Sequence, residues 1–379
     1  MSVQSLLPPK RTFAGEAFRI FLCICPAIAA AAVIALSRID AAATEAVFSQ
    51  GVFPVVSTVI GLLARVLPFS LIAVLAYVGI GLAVFFAAFF AVRIFKTHDP
   101  AGLLLRYVRG LLLIPSVIFF IYAITCGPNY SRLTFAEQSG LRIRDSSADE
   151  LAALCTELIE RTAAAREKVT EDETGIFSLN EEFSVSSSQA LSSFHDLRSE
   201  YPFLLNAAIA PKAMIGSQLL SRVQVTGFYS CYTSEPNVNT HMPDLELPFT
   251  MCHELAHTSG FMREDEANFI GYLACSRSEN PNFRYSGLIC ALNYSMGQLY
   301  KADPDAYWEL RACYSEEMNR DLSVQSAYWR QYEDSKALEV YTSVNDAFLK
   351  ANQQTDGRQS YGRMVDLLLA EYRSLHELE

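Results

Sequence analysis

The feature that most constrains this chain is an uncharged, apolar run of 25 residues, from residue 68 to residue 92. A helix of about 20 apolar residues crosses a bilayer core, with a range of roughly 17–25. Two shorter uncharged runs, residues 20–36 and 110–127, hold 17 and 18 residues. The chain is 51% hydrophobic and only 19% charged, which is too apolar for an ordinary soluble protein. We therefore expect residues 1–130 to form a membrane region with about three transmembrane helices.

Two apolar segments allow other interpretations. Residues 52–64 are interrupted by Pro54 and followed by Arg65, which favours a re-entrant or interfacial piece. Residues 20–36 resemble a cleaved signal peptide, because basic residues precede them and three alanines at positions 41–43 follow. Their 17 residues exceed the usual apolar core of a signal peptide, about 7–15 residues, and this favours a retained span.

Charge is divided unevenly along the chain. Residues 1–130 hold nine Lys or Arg and four Asp or Glu, a net charge of +5, so residues 131–379 carry −16 of a total of −11. Seven of the nine basic residues precede the first run or lie between the second and third. Because basic loops stay in the cytoplasm, three spans place residues 131–379 outside it, and one span more or fewer reverses this. An acidic chain without a basic stripe excludes nucleic acid as a partner.

Residues 131–379 have ordinary polarity and no further run of membrane-crossing length. Their periodic patterns predict helices at 149–166, from Pro248, and in most of the chain after Glu279, with short strands at 222–229 and 237–239. We expect an α+β, mostly helical domain with a small sheet. Its six cysteines are irregularly spaced, so disulfides are permitted but no pairing is predicted.

The sharpest chemical signal is the sequence HELAH at residues 253–257. Residues four apart share one face of a helix, so His253 and His257 can offer two imidazole nitrogens to one Zn²⁺ ion at about 2.0–2.1 Å. Glu254 lies one position further round the helix, where it can reach a water molecule at the open position of the metal and act as a general base. The alternative is an ordinary buried helix with two packed histidines.

A zinc site of this kind needs a third protein ligand. Gly260 suits the left-handed position that ends a helix and reverses the chain. A second helix from about Arg263 then brings either Glu264 or Glu266 to the metal, because residues two apart diverge by about 200°. We favour Glu264, since Asn268 lies four residues later on its face and can hydrogen-bond a ligand histidine. Glu266 stays open as the alternative.

The combination of HExxH with a downstream Glu-x-x-Ala-Asn resembles the gluzincin metallopeptidases. The residues that carry the likeness are His253, Glu254, His257, Glu264 and Asn268. In that group the two histidines and the later glutamate hold one Zn²⁺ ion, and the motif glutamate is the base. The resemblance implies a zincin-like metallopeptidase domain. The interval between His257 and Glu264 is short for a gluzincin, which keeps the choice of third ligand open.

The chain is similar over nearly its whole length to a bacterial family of uncharacterised membrane-anchored HExxH proteins, whose domain has no known function. The stretches that carry this likeness are residues 248–257, 264–274, 283–287 and 360–369. The activity of that family is inferred from its motif. The resemblance therefore supports a membrane-anchored HExxH protein and leaves its substrate open.

A candidate substrate strand precedes the motif. Asn237, Val238 and Asn239 resemble the edge strand that gluzincins run beside an extended peptide. An unpaired strand edge offers backbone N–H and C=O groups to such a peptide. A plain hairpin is the alternative interpretation of these three residues.

A candidate oxyanion donor follows the metal-binding helices. Tyr285 offers a phenol that can stabilise a tetrahedral oxyanion, and Tyr294 and His241 are alternatives. Tyrosines in such positions are most often packing residues, and a lone loop histidine is most often at the surface. Tyr285 is therefore a hypothesis beside that ordinary role.

These features predict a membrane-anchored zinc metallopeptidase that faces outward and takes a peptide or protein substrate. Glu254 would move a proton from water to the leaving amine. The alternative is a catalytically inactive zinc-binding sensor or interaction domain on a membrane stem, with the same ligands. An intramembrane protease is disfavoured, because the motif lies about 125 residues beyond the last apolar run.

Overall fold

The computed structural model describes residues 12–354, 357 and 362–378. The helices of the first part of the chain are α1 (Phe13–Ser37), α2 (Ala41–Thr44), α3 (Phe53–Arg65), α4 (Leu71–Ile94) and α5 (Pro100–Thr125). A π-helix, Glu45–Val52, joins α2 to α3, so that residues 41–65 form one continuous helical segment. Ser70 and Asp99 begin α4 and α5 by accepting hydrogen bonds from backbone N–H groups of their first turns.

Four helical segments are long and apolar enough to cross a membrane by length and composition: α1, Ala41–Arg65, α4 and α5. The sequence predicts about three spans and favours a re-entrant or interfacial piece for residues 52–64. The segment is longer than expected because its helix begins at Ala41. Pro54 does not end it, since it lies in the first turn of α3, where a proline is tolerated.

The segment Ala41–Arg65 lies against the C-terminal domain along its length. Glu45, near its start, forms a buried ion pair with Arg132 at 2.7 Å. Near its end, the carbonyl oxygen of Ala64 accepts a hydrogen bond from Lys212 Nζ at 2.7 Å. Both ends of this segment are therefore held at the domain. Its outer face exposes an apolar stripe made of Val55, Val59, Leu62 and Val66.

The other three long helices each reach the domain with one end. The Arg38 side chain, just after α1, donates to the carbonyl oxygen of Ala351 at 2.8 Å. The first backbone N–H groups of α4 donate to the carboxylate of Glu235 at 3.0 Å. Cys126, just after α5, packs in a buried cluster with Cys231. These contacts distinguish α1, α4 and α5 from the segment Ala41–Arg65.

The C-terminal domain is mostly helical with a small sheet, as expected. Its elements in chain order are α6 (Phe135–Ser139), α7 (Ala148–Arg166), α8 (Phe183–Leu197), β1 (Lys212–Ala213), α9 (Ser217–Ser221), β2 (Gly227–Ser230), β3 (Glu235–Val238), α10 (Leu247–Thr258), α11 (Glu264–Ser276), α12 (Pro281–Ala302), α13 (Pro304–Arg311), α14 (Glu316–Arg330), α15 (Lys336–Ala351) and α16 (Met364–Leu375). The helix predicted at 149–166 is α7, and β2 occupies the end of the strand predicted at 222–229. Positions 360 and 361 of the last family stretch lie outside the described residues.

The three strands are ordered β1-β3-β2, with β3 parallel to β1 and antiparallel to β2. Asn237 and Val238 therefore lie in the central strand, and Asn239 follows it; all three are buried. The prediction that these residues form an edge strand is wrong. The two-residue strand β1 gives no periodic signal in the sequence, and it pairs with the side of β3 that was expected to be open. The edge of the sheet is β2.

The core of the domain is built on close packing of α10, α11 and α12. A Cβ atom at Gly271 of α11 would lie 3.0 Å from the backbone nitrogen of His253 on α10. A Cβ atom at Gly287 of α12 would lie 2.4 Å from Cβ of Cys275 on α11. Side chains are absent at these two crossings, so the helix backbones approach closely. This packing buries every residue of α10 and places the HELAH sequence inside the domain.

Candidate metal centre

Helix α10 carries the two motif histidines on one face. It begins with Pro248 in its first turn, where the missing N–H has no partner to lose, as the sequence predicted. His253 and His257 are one turn apart, and their ring centroids are 4.8 Å apart. Both side chains are almost fully buried, because α11, α12 and the sheet pack against α10.

The turn after α10 brings α11 back to the histidines. Gly260 has a φ of +83°, and its N–H donates to the carbonyl oxygen of His257 at 3.0 Å, which confirms the predicted helix end. A side chain is excluded there, because a Cβ atom would lie 2.9 Å from Nη1 of Arg132. Helix α11 then begins at Glu264 and directs this residue towards α10.

Three ligand atoms converge between α10 and α11. Oε2 of Glu264 lies 3.3 Å from Nε2 of His253 and 3.8 Å from Nε2 of His257, and the three ligand atoms lie within 4.8 Å of one another. Tetrahedral ligands at about 2.0–2.1 Å from one ion are themselves about 3.3 Å apart, so this donor set fits a zinc ion. No other three His, Cys, Asp or Glu side chains converge in this way within the described ranges.

The hydrogen bond of His257 leaves its second nitrogen free for a metal. Its Nδ1 lies 2.7 Å from the carbonyl oxygen of Phe261. A carbonyl oxygen only accepts, so Nδ1 carries the proton and Nε2 presents a lone pair. Burial lowers the pKa of His257 to about 4, and the imidazole is therefore neutral over a wide pH range.

Asn268 lies beside the other histidine, His253. Burial alone would lower the pKa of His253, but its hydrogen bond to Glu264, the charges of Glu254 and Glu264, and the neighbouring Asn268 raise it above its ordinary value. The side-chain nitrogen of Asn268 donates to the hydroxyl of Tyr294 at 3.4 Å. Asn268 thus lies beside His253, as its spacing from Glu264 predicts.

Glu266 takes a different direction from Glu264. Its carboxylate accepts the backbone N–H of Phe135 at 2.7 Å and pairs with Nη2 of Arg263 at 2.8 Å. These contacts join α11 to α6 and satisfy the buried charge. The structure therefore brings Glu264, the favoured candidate, to the histidines, and gives Glu266 a structural position.

Glu254 occupies the remaining side of the cluster. It is 2% exposed, and Oε2 has no hydrogen-bond partner among the residues described. Burial raises its pKa to about 8, although His253 acts in the opposite direction. A Cβ atom at Gly227 of β2 would lie 2.6 Å from Oε1, so the strand passes directly over this carboxylate. Such a group is well placed to accept a proton beside the three ligands.

The structure corrects the assignment of Tyr285. This residue is fully buried, and its hydroxyl donates to Oδ2 of Asp321 at 2.8 Å, away from the histidines. Tyr294, nine residues later on α12, lies on the opposite face because nine residues make two and a half turns, and it lines the same cleft as the histidines. His241 instead contacts the hydroxyl of Tyr328 at 2.8 Å.

A cleft of about 740 Å³ gives access to the cluster, and β2 forms one side of it. The backbone N–H of Asn239 donates to the carbonyl oxygen of Thr226 at 2.8 Å, which makes these two residues a hydrogen-bonded pair of the antiparallel ladder. Since such pairs alternate, Gly227 and Tyr229 direct their N–H and C=O groups away from β3, towards the open edge. Sequence reasoning found this strand by its alternation but assigned the substrate edge to β3.

The chain was compared with protein families, curated proteins and solved structures. No curated protein and no solved structure matches it. A family model described as "Protein of unknown function (DUF3810)" matches residues 48–369. The match covers the whole cleft and the four residues His253, Glu254, His257 and Glu264, which form the histidine–glutamate cluster. It spans well over half of the chain, and the protein therefore belongs to this family of unknown function.

Proposed function

We propose that the protein is a membrane-anchored zinc metallopeptidase. One observation carries this proposal: the ligand atoms of His253, His257 and Glu264 converge beside the unpartnered carboxylate oxygen of Glu254, in a cleft bordered by an open strand edge. Two imidazoles and a carboxylate with a nearby general base are the donor set of a catalytic zinc site. A purely structural zinc site would use four protein ligands and needs neither the base nor the edge.

In this mechanism the residues of the chain hold the metal, align the peptide and move one proton. When bound, Zn²⁺ supplies Lewis acidity and lowers the pKa of a water molecule to about 7. Glu254 accepts the proton of the attacking water and delivers it to the leaving amine nitrogen. The open backbone groups of Gly227 and Tyr229 pair with the extended peptide, and the Tyr294 hydroxyl faces the carbonyl oxygen as it gains charge.

We infer that α1, α4 and α5 cross the bilayer and that Ala41–Arg65 lies along its surface. Both ends of that segment are held at the domain, whereas each of the other three helices meets the domain at one end. The opposite ends of α4 and α5 carry a basic cluster: Arg93, Lys96, Arg106 and Arg109. Basic residues favour the cytoplasmic side, so the catalytic domain lies outside the cytoplasm.

The test of catalysis is the substitution Glu254→Gln in the full-length protein. Gln is nearly the same size as Glu but cannot accept the proton, so we expect peptide hydrolysis to fall by at least about a hundredfold while the metal is retained. Cleavage of a peptide library is followed by mass spectrometry, with zinc content measured on the same samples. Equal cleavage by the wild type and the variant would refute a peptidase, and a zinc-bound but inert wild type would indicate a binding domain.

The test of the metal compares Glu264→Ala with Glu266→Ala. We expect Glu264→Ala to lose most of its zinc, because it removes one of three ligands. We expect Glu266→Ala to keep the wild-type stoichiometry and to unfold at a lower temperature, because it leaves Arg263 and the Phe135 N–H without their partner. Elemental analysis gives the zinc-to-protein ratio of each. A wild-type protein without bound metal would overturn the site.

A further inference from the structure

The cleft that holds the histidine–glutamate cluster is also lined by the ends of membrane helices. Ile72 belongs to the first turn of α4, Tyr122 to the last turn of α5, and Cys126 follows α5 directly; all three line the cleft together with His253 and His257. The active-site cleft is therefore continuous with the place where the chain leaves the bilayer. In a domain on a long stem, these two sites would be separated by the stem.

The edge strand β2 connects these two sites. Its first residue, Gly227, lies against Oε1 of Glu254. Directly after its last residue, Cys231 packs in the buried cluster with Cys126, at the end of α5. At about 3.3 Å per residue, the strand spans about 10 Å between the catalytic base and the end of the span. A peptide that pairs with the open edge thus has one end directed towards the bilayer.

Helix α15 borders the cleft on the side where α5 ends. Tyr341, Asn345 and Phe348 of this helix line the cleft, and the Phe348 ring meets that of Tyr122 edge to face at 6.3 Å between centroids. The neighbouring face of α15, about a quarter turn round the helix, exposes Val340 and Val344, each 64% accessible. An apolar outer face next to the ends of the spans is suited to contact with lipid.

From this arrangement we propose that the substrate is a polypeptide anchored in the same bilayer, cut in the short segment next to its anchor. The proposal rests on the proposed peptidase function and specifies its substrate class. The uncharged run that holds most of α5, residues 110–127, is about as long as a bilayer core of about 30 Å, and the headgroup layer outside that core is about 5–8 Å thick on each side. Added to the length of β2, this places the cut within about six residues of the anchor.

The experiment uses the full-length protein, loaded with zinc, in nanodiscs of phosphatidylethanolamine and phosphatidylglycerol. The substrates are one peptide sequence with and without an amino-terminal transmembrane helix. A further series inserts spacers of about 3, 6 and 12 residues between the anchor and that sequence. Initial rates give kcat/KM, mass spectrometry locates each cut, and Glu254→Gln supplies the background.

We expect kcat/KM to be at least about tenfold higher for the anchored peptide. We expect the cut to stay within about six residues of the anchor when the spacer moves the sequence. Simple enrichment at the membrane would raise the rate but leave the cut at the same sequence position. Equal rates with and without the anchor, or cuts that follow the sequence, overturn the inference alone. No cleavage of any substrate above the Glu254→Gln background overturns the proposed function and the inference with it.

A matched pair of variants tests the path along β2. Tyr229→Pro removes the side chain and a backbone N–H that faces the open edge, whereas Tyr229→Ala removes the side chain and keeps the N–H. We expect Tyr229→Pro to cleave the anchored peptide at least about fivefold more slowly than Tyr229→Ala, with equal zinc content in both. Equal rates in these two variants would show that the peptide does not pair with the open edge of β2. The distance between the cut and the anchor, which is calculated from that pairing, would then fall as well.

Discussion

At the scale of single residues, Gly227 determines how closely the edge strand can pass the carboxylate of Glu254. A Cβ atom at this position would lie 2.6 Å from Oε1 of Glu254, 2.8 Å from Cγ2 of Thr250 and 2.9 Å from the carbonyl oxygen of Asn237. Two of these neighbours belong to rigid elements, so the carboxylate is the group that must move. The position of this carboxylate therefore depends on the absence of a side chain at Gly227 of the neighbouring strand.

Gly227→Ala should consequently impair catalysis without removing the metal. We expect at least about a tenfold loss of kcat/KM, because displacement of a catalytic group by about 1 Å is costly, and an unchanged zinc stoichiometry. Gly297→Ala is the matched control: it lies in α12 with nothing within 4 Å of a Cβ atom, and should leave activity unchanged. A Gly227→Ala protein of wild-type activity would show that Glu254 does not need its present position.

Glu246 predicts a pH dependence of stability. It lies one residue before α10, accepts a hydrogen bond from Nε1 of Trp329 at 2.7 Å, and burial raises its pKa from 4.5 to about 7. Between pH 4.5 and 7 the native state keeps the proton of Glu246, whereas the unfolded chain releases it. The free energy of unfolding therefore decreases as the pH rises through this range, by at most about 1.4 kcal/mol per pH unit. Glu246→Gln should reduce this slope, as measured by Tm from pH 5 to 7.5. An identical dependence of Tm on pH in the wild type and the variant would contradict this role of Glu246.

The motif residues of the candidate metal centre were predictable because their spacing on one helix fixes their direction. His253 and His257 share a face at any crossing angle of the neighbouring helices, and Asn268 follows Glu264 by one turn. Which tyrosine of α12 lines the cleft was not predictable in this way. Tyr285 and Tyr294 lie on opposite faces of α12, and only the packing of α12 against α7 and α11 decides which face meets the cleft.

At the scale of elements, the segment Ala41–Arg65 shows that length and hydropathy alone do not define a span. It has the length and composition of a transmembrane helix, yet polar groups of the domain hold it at Glu45 and Ala64. A helix that crosses the bilayer has to carry one of its ends away from the domain. The contacts at both ends therefore favour an interfacial helix with its apolar stripe towards lipid.

The depth of two labelled positions tests this placement. A fluorophore on Val59→Cys, in the exposed stripe of α3, should be quenched most strongly by lipids that carry the quencher near the headgroup. The matched position Ile80→Cys, an exposed residue in the middle of α4, should be quenched most strongly by lipids that carry it deep in the acyl chains. Equal depths for the two positions would mean that Ala41–Arg65 crosses the membrane.

At the scale of the whole molecule, the number and direction of the membrane spans determine on which side of the membrane the cleft lies. Helix α5 separates the basic loop between α4 and α5 from the domain, so a loop in the cytoplasm puts the domain outside it. A fourth span would put the N-terminus and the domain on the same side. Cys313 offers a direct test, because it is exposed on the domain, whereas Cys252 beside His253 is buried.

We expect Cys313 to react with a membrane-impermeant thiol reagent in intact cells. A cysteine introduced as His98→Cys, in the loop between α4 and α5, should react only after the membrane is permeabilised. Both are measured in a protein whose other cysteines are replaced, so that each signal has one source. Labelling of His98→Cys and not of Cys313 in intact cells would show that the topology is the reverse, with the domain in the cytoplasm.

The sequence by itself determined the long apolar helices, the mostly helical domain, and the common helix face of His253 and His257 with a glutamate soon after them. These follow from local rules: the length of apolar runs, the period of a helix and the reversal at Gly260. Tertiary structure alone decided that β2 is the open edge, that Tyr294 rather than Tyr285 meets the cleft, and that the cleft adjoins the ends of α4 and α5. Each of these depends on contacts between residues far apart in the chain, such as β1 with β3 or Glu45 with Arg132, and such pairings leave no periodic signal in either partner.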